Sequence, residues 1–524
     1  VVLALLACAN ARAQVAYPPL TTELSVEHPL FLFRVPAPGG AASSAYAQHV
    51  VDAWGQLNET LRPFSALCVT VPRGDDALGF LQILQDNAVP TVLLVSAGGP
   101  GGRQDLAQVE ALLSAYTTIR GIEPQGMRLD IYDGPEESGD LARANATWIA
   151  GALECAARYG RFVYWPLAGL DAARLMAHPG YQPARAKMAE LAPYLIAASA
   201  QRGEHPAQGN AACLGLWLSN LCGAWGVSAD TAWFNDARLL GPGQRGKSRE
   251  AKPAPSFYRA QVLAGAMNGA WVFRFERPED LWFSPGAAAW NDVIAPLLVE
   301  LVQLGLPARK EFVLKAAPLA FQLAEAADPA AFHRNLHDLS PQLDDGMLWR
   351  AAFGAGIGPV PARSGIAALP ILPYDLSADL RAQFASVVQA DDTATLDQRQ
   401  AVADAVRVAS VEGDAFVAQV GRGVYVFNTN LAAQTPQNYS IPEAPAAVRG
   451  LEARREGDGV SLTWPFREGD ASYTVYKRVS PQMRFLPIAR GLEDRRFVDP
   501  GVPAGDTVAY AVTALTNDME PLQG

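Results

Sequence analysis

The sequence predicts an α/β fold, a (β/α)8 barrel followed by two β-rich regions. Continuously apolar runs such as TVLLVSAGG (residues 91–99) alternate with amphipathic helical stretches. That alternation marks a parallel sheet covered on both faces. About eight such units fit into the first ~290 residues, the size of a closed barrel. No Gly-x-Gly-x-x-Gly opens a helix after the first strand, which argues against an open dinucleotide-binding sheet.

Taken in order, residues 1–13, VVLALLACANARA, read as the remnant of a secretory signal with a small-x-small cleavage site at Ala11-Arg12-Ala13. They predict a secreted or cell-surface protein. HPLFLFRV is the first strand, SAYAQHVVDAWGQL a helix and SALCVTVP the second strand. LGFLQILQDNAVP is helical, TVLLVSAGG the third strand and QDLAQVEALLSAYTTI an amphipathic helix, before the strand IRGIE and the segment MRLDIYDG. Helix ATWIAGALECAARYG, strand FVYWPLAG, helix MAELAPYLIAASAQR and strands LGLWLSN and WGVSADTAWF follow. Tyr258 to Asn268 carries Val262, Leu263, Ala266 and Met267 at helical spacing, and WVFRFE (residues 271–276) alternates like a short buried strand. WNDVIAPLLVELVQLGLP is the helix that closes the barrel. Beyond Lys310, pieces such as EGDAFVAQVGRGVYVFNTN alternate apolar and polar residues between glycine turns, predicting an antiparallel β-sandwich over residues 310–440, with a helical insert around DPAAFHRNLHDL. IPEAPAAV reads as a linker to a last β-module.

A net charge of −11 argues against nucleic acid and anionic membrane surfaces as partners. Beyond the first residues no apolar run is long enough to span a membrane. After the signal, Cys68, Cys155, Cys213 and Cys222 remain, too few for a disulfide framework and without a C-x-x-C pair, so they are expected as free buried thiols. The six histidines accompany no Gly-x-Ser-x-Gly elbow and no His-Glu-x-x-His, so neither a nucleophilic triad nor a metal site is expected, and no cofactor.

Carboxylates remain as the chemistry-bearing groups. Glu276 ends WVFRFE just before Pro278, and Trp271, Phe273, Phe275, Trp282 and Phe283 surround it in sequence. Glu123 ends IRGIE before Pro124, and Asp230 and Asp236 lie near Trp225, Trp233 and Phe234. In a barrel the carboxyl ends of strands converge on one pocket. Cleaving a glycosidic bond needs one carboxylic acid to protonate the leaving oxygen and a second carboxylate to activate water or attack. Aromatic rings stack on sugar faces, which makes Trp225, Trp233, Trp271 and Trp282 candidate substrate-binding residues, with Trp165 in VYWP and Asn220 in LWLSN at further strand ends. An oligo- or polysaccharide is the expected partner.

The ordered segments SVEHPLFLF, WGQLNETLRPFSAL, IRGIE, NLCGAWGV, GAMNGAWVFRFE, WNDVIAPLLVELVQLGLPARKEFV, GIAALPILPYD and EGDAFVAQVGRGVYVFNTN resemble glycoside hydrolase family 98. The resemblance implies a TIM-barrel catalytic domain over residues 14–309, a β-sandwich domain after it, and an endo-acting, inverting hydrolase. It implies Glu123 as general acid and Glu276 as one member of a water-positioning pair, with Asp230 or else Asp236 as the other. The resemblance implies either of two activities: some members are endo-β-1,4-galactosidases that release blood-group oligosaccharides, and others cut β-1,4-xylan. The first expectation is therefore an endo-β-1,4-galactosidase, the alternatives an endo-β-1,4-xylanase or a non-catalytic glycan-binding protein. The basic, proline-rich stretch 241–256 is a candidate specificity loop. Residues 444–524, with VSLTW, SYTVYKR and TVAYAVTAL, resemble a fibronectin type III module lacking about one strand.

Overall fold

The computed structural model describes residues 16–37, 43–71, 76–97, 103–127, 129, 135–168, 171–200, 206–229, 256–317, 320–326, 370–390, 415–420, 423–428, 448, 450–466, 470–479, 484–502 and 507–516. Eight parallel strands close into a barrel: β1 (Leu30–Val35), β2 (Ser65–Thr70), β3 (Thr91–Ser96), β4 (Ile119–Gln125), β5 (Phe162–Ala168), β6 (Leu195–Ala200), β7 (Ala224–Ala229) and β8 (Val272–Phe275). Closure is the pairing of β1 with β8, Leu30 opposite Val272 and Phe33 opposite Phe275.

Strand residues alternate between two apolar environments, as a pleat requires. Leu32, Cys68, Val92, Tyr164, Ile196 and Val272 belong to the cluster inside the barrel. Their neighbours Phe33, Leu67, Leu93, Trp165, Trp225 and Phe273 belong to the larger core between strands and helices. Each such fully buried apolar side chain stabilises the fold by about 1.5–3 kcal/mol. The helix Ser43–Gln56 buries Tyr46, Ala47, Val50 and Ala53, one turn apart on a single face. The segment leading into β1 covers the amino-terminal end of the barrel, where Thr21 donates its amide to the Gly160 carbonyl at 2.8 Å.

Two assignments from the sequence are exchanged in the structure. LIAASA, expected at the end of a helix, is β6, and LGLWLSN, expected as a strand, lies mostly in the helix Pro206–Leu218. Pro193 sits in a 3-10 turn, Ala192–Tyr194, that ends the preceding helix and leaves the small residues of β6 to pack inside the sheet. The apolar run before Ser219 is a helix buried on all sides, which periodicity alone does not distinguish from a buried strand.

After the helices Ala295–Leu304 and Lys310–Ala316, strands β9 (Ala320–Leu323), β10 (Ile371–Leu372) and β11 (Val387–Ala390) form a parallel sheet of order β10-β9-β11. This departs from the antiparallel pairing expected there. The sheet's flanks bond to the barrel: Ala326 N–H donates to the Ala177 carbonyl at 3.0 Å and Tyr374 N–H to that of Met176 at 3.2 Å. The expected insert around DPAAFHRNLHDL lies outside the described residues. Antiparallel pairing does hold for β12 (Ala415–Val420) with β13 (Gly423–Asn428). That hairpin joins β17 (Arg484–Leu492), β16 (Asp470–Val479) and β19 (Val508–Thr516) in one five-stranded sheet, so the sheet runs past the linker expected at residues 441–448. A three-stranded antiparallel sheet, β14 (Glu452–Glu456), β15 (Gly459–Thr463) and β18 (Arg496–Asp499), completes the carboxy-terminal region. Its core includes Leu462, Trp464, Tyr473, Val475 and Val512, with Trp464 edge-on to Tyr473 at 5.4 Å. No helix among the described residues is long and apolar enough to cross a membrane.

Candidate active site

The pleat that buries Val272 inside the barrel also turns Arg274 and Glu276 inward, two and four residues on. On β4 the same rule turns Glu123 and Gln125 inward, since Leu94 of the interior cluster lies opposite Glu123. β1 contributes Arg34, two residues after the interior Leu32. Three strands that are distant in sequence thus bring their polar residues to the carboxyl end of one barrel, where such folds place their chemistry.

Arg274 is the centre of this group. Its Nη2 lies 3.0 Å from Glu123 Oε1, and its Nη1 contacts Glu276 Oε1. Arg34 Nη1 reaches the other oxygen of Glu276, Oε2, at 3.2 Å. Gln125 donates its side-chain amide to Glu123 Oε1. Below lie Tyr164, whose ring centre is 5.8 Å from the Arg274 guanidinium, and Ser228, whose Oγ accepts from Arg274 Nη1 at 3.5 Å. The side chains of Arg274 and Glu123 are fully buried, whereas Glu276 is 9% exposed and Arg34 33% exposed.

Electrostatics follow from this packing. Burial works against the charge on Arg274, but the Glu123 carboxylate foremost outweighs it and holds the guanidinium above its ordinary pKa. The Cys68 thiol goes the other way: burial pushes it up to about 12 despite the opposing field of Arg274, so it stays protonated. Burial likewise raises the Tyr164 phenol. The attraction between opposite charges offsets part of the cost of burying them, and here one guanidinium serves two carboxylates on different strands. The site can therefore hold two carboxyl groups close together without their mutual repulsion opening the barrel.

The structure separates the residues singled out from the sequence. Glu123 and Glu276 come together. Asp230, Asp236 and Trp233 lie outside the described residues, as does most of the stretch 241–256. Trp165 and Trp225 face outward under the helices, Trp225 donating its indole N–H to the Asn268 carbonyl at 3.0 Å. They are not at the barrel mouth, because each sits one residue out of phase with the interior positions. Trp271 precedes β8 and packs at the amino-terminal end against Trp217, with ring centres 5.7 Å apart. Trp282 is wedged outside the barrel between Phe33 and the Ala53 carbonyl, to which its N–H donates at 2.7 Å. Asn220 lies in the left-handed turn after Pro206–Leu218, φ 60°, and accepts from Lys310 Nζ at 2.7 Å. It thus precedes β7 rather than ending a strand. The structure brings none of these five to the carboxylate cluster.

Arg274, Arg34, Gln125, Tyr164 and Ser228 escaped sequence reading. The signal was present for Arg274: a charged residue between two phenylalanines, in phase with Glu276. Among the described residues no group of three or more His, Cys, Asp or Glu is placed to hold a metal ion.

Comparison with known proteins matches this architecture. The family model for glycosyl hydrolase family 98 matches residues 20–284, half of the 524-residue chain. Three crystal structures of the catalytic module of a family 98 glycoside hydrolase from Streptococcus pneumoniae TIGR4 superpose with a TM-score of 0.59. The complex with the H-disaccharide blood group antigen is 15% identical and the match covers 88% of this chain and 80% of that one. The complex with the LewisY pentasaccharide blood group antigen has the same identity, 15%, and the same coverages, 88% and 80%. The native form is 14% identical, with 95% and 100% covered. At such identities the likeness establishes the fold. Among curated proteins none matches. The family model over half of its length, laid on a closed barrel with paired carboxylates at one mouth, shows that the chain belongs to glycosyl hydrolase family 98, the glycoside hydrolases.

Proposed function

We propose that the protein is a secreted, endo-acting, inverting glycoside hydrolase that cleaves internal β-1,4-galactosidic bonds in blood-group-like glycans. The observation that carries the reading is the meeting of Glu123 and Glu276 at one guanidinium, at the carboxyl end of the barrel. The blood-group antigens held by the streptococcal modules support the choice of glycan.

In this reading Glu123 protonates the glycosidic oxygen, and Glu276, with Asp230 or else Asp236, orients and deprotonates the attacking water. Two guanidiniums on Glu276 favour its ionised form, as a base requires. On Glu123 two influences oppose each other: burial favours the protonated acid and Arg274 the carboxylate. A guanidinium between the two carboxyls also keeps them from direct contact, which supports the wider spacing of about 6.5–9.5 Å that admits a water in inverting enzymes. The carboxy-terminal sheets, from Glu452 on, fit a fibronectin type III-like spacer.

Hydrolysis of a blood-group glycan should fall by about 10²–10⁴-fold in both Glu123→Gln and Glu276→Gln. An aryl galactoside, whose leaving group needs no proton, should restore turnover in Glu123→Gln but not in Glu276→Gln. Full activity of either variant overturns the assignment. NMR of the fresh product should show the α-anomer first. Cleavage of xylan and not of the blood-group glycan would overturn the specificity.

A further inference from the structure

We propose that Arg34 is a positioning residue that orients Glu276 and keeps it ionised for its work on water, without itself touching the sugar. The inference rests on the reading of Glu276 as base given above. Its footing is geometric: Arg34 lies on β1, adjacent to β8 across the seam that closes the barrel, with Leu32 opposite Arg274 and Phe33 opposite Phe275. Its Nη1 takes Glu276 Oε2 at 3.2 Å, while Oε1 of the same carboxylate is engaged by Arg274 Nη1. Both oxygens of Glu276 are thereby fixed, and the plane of the carboxylate with them.

Arg274 cannot set the state of Glu276 independently, because its other terminal nitrogen lies 3.0 Å from Glu123. Any change at Arg274 alters both carboxyls at once. Arg34 pairs with Glu276 from the rim, and the barrel can use it to tune that carboxylate separately. Among the described residues, the charged and titratable groups facing this pair are Arg274 on β8, Glu123 on β4, Cys68 on β2, Tyr164 on β5 and Tyr46 of the helix Ser43–Gln56. Cys68 and Tyr164 are neutral at working pH, since burial raises both. Among the described residues, the charged partners of the two guanidiniums are therefore the carboxylates, since burial keeps Tyr46 neutral as well.

Arg34 is a third exposed, so its substitution opens no sealed void, and the folding of each variant is checked by its melting transition. Activity against pH should be bell-shaped, with the acidic limb reporting the base. Removing one of two guanidiniums makes Glu276 easier to protonate. In Arg34→Gln and Arg34→Met the acidic limb of kcat should therefore move to higher pH by about one unit, a nearby opposite charge being worth about 1–3 units when unscreened. KM for the glycan should stay within about twofold, and Arg34→Lys, which keeps the charge, should return the limb toward its original place. A limb that stays put in both neutral variants, with Glu276→Gln inactive, overturns the role of Arg34 and leaves the site reading intact. A pH-independent rise in KM with kcat unchanged also overturns it, by making Arg34 a sugar-binding residue. Full activity in Glu276→Gln would instead remove the reading on which the inference stands.

Discussion

Arg274 is fully buried inside the barrel, and its charge is held there by two acids. A methionine there would match its stem and remove its guanidinium, leaving Glu123 and Glu276 buried and facing each other. Breaking a buried ion pair from one side destabilises by about 3–5 kcal/mol. Arg274→Met should thus lower the urea midpoint at pH 7, and the loss should shrink as pH falls, because protonating the stranded acids relieves the repulsion. A variant as stable as the parent at pH 7 would show that the carboxylates do not depend on Arg274. Glu123 and Glu276 were legible in the sequence because each ends an apolar run just ahead of a proline. The rings are less legible at this scale because proximity in sequence is not proximity in space. Trp165 and Trp225 carry the opposite phase to Tyr164 and Gly226, and a pleat sends neighbours to opposite faces.

Elements were legible wherever the pattern was unambiguous, and failed where composition and period disagreed. TVLLVS reads as a strand by its β-branched residues and is one. LIAASA is rich in alanine, which favours helices in isolation, yet it is β6, with Ile196 and Ala198 packed in the barrel interior. The helix Pro206–Leu218 is apolar from Ala211 on because it is covered twice, by the barrel and by the parallel sheet of β9, β10 and β11. Gly215 is the point of closest approach in that second contact. A Cβ there would stand 1.7 Å from the Ile371 carbonyl oxygen, a backbone atom with no freedom to rotate away. Gly215→Ala should therefore separate helix from sheet and lower stability by about 1–3 kcal/mol or more. Thermal unfolding measures this, and an unchanged midpoint would mean that the contact is dispensable.

Across the whole molecule, the parallel sheet decides whether the barrel stands alone. Arg185, 3% exposed, emerges from the helix Gln182–Glu190 and places Nε at 3.1 Å from both oxygens of Asp375, with Nη2 at 2.6 Å from Oδ2. Its Nη1 donates to the carbonyls of Leu175 at 2.8 Å and His178 at 3.1 Å, so one guanidinium joins the barrel helices to the chain beyond β10. Tyr374 lies against it at 4.8 Å. No pattern in the sequence announced this tie: its partners are 190 residues apart, and Asp375, which ends the segment GIAALPILPYD, carries no sign there of a distant arginine. Asp375→Ala would strand a buried guanidinium. Since Asp375 is itself 32% exposed, water recovers part of the loss, and a destabilisation of about 1–3 kcal/mol is expected rather than the full value for a sealed pair. If barrel and sheet unfold as one cooperative unit, the variant should melt in a single transition at lower temperature. Hydrogen exchange should then rise together in β10 and in the barrel helices 171–190. Exchange that rises in β10 alone, with the barrel transition unmoved, would make the sheet a peripheral attachment. The mouth of the barrel would then owe its rigidity to the eight strands alone.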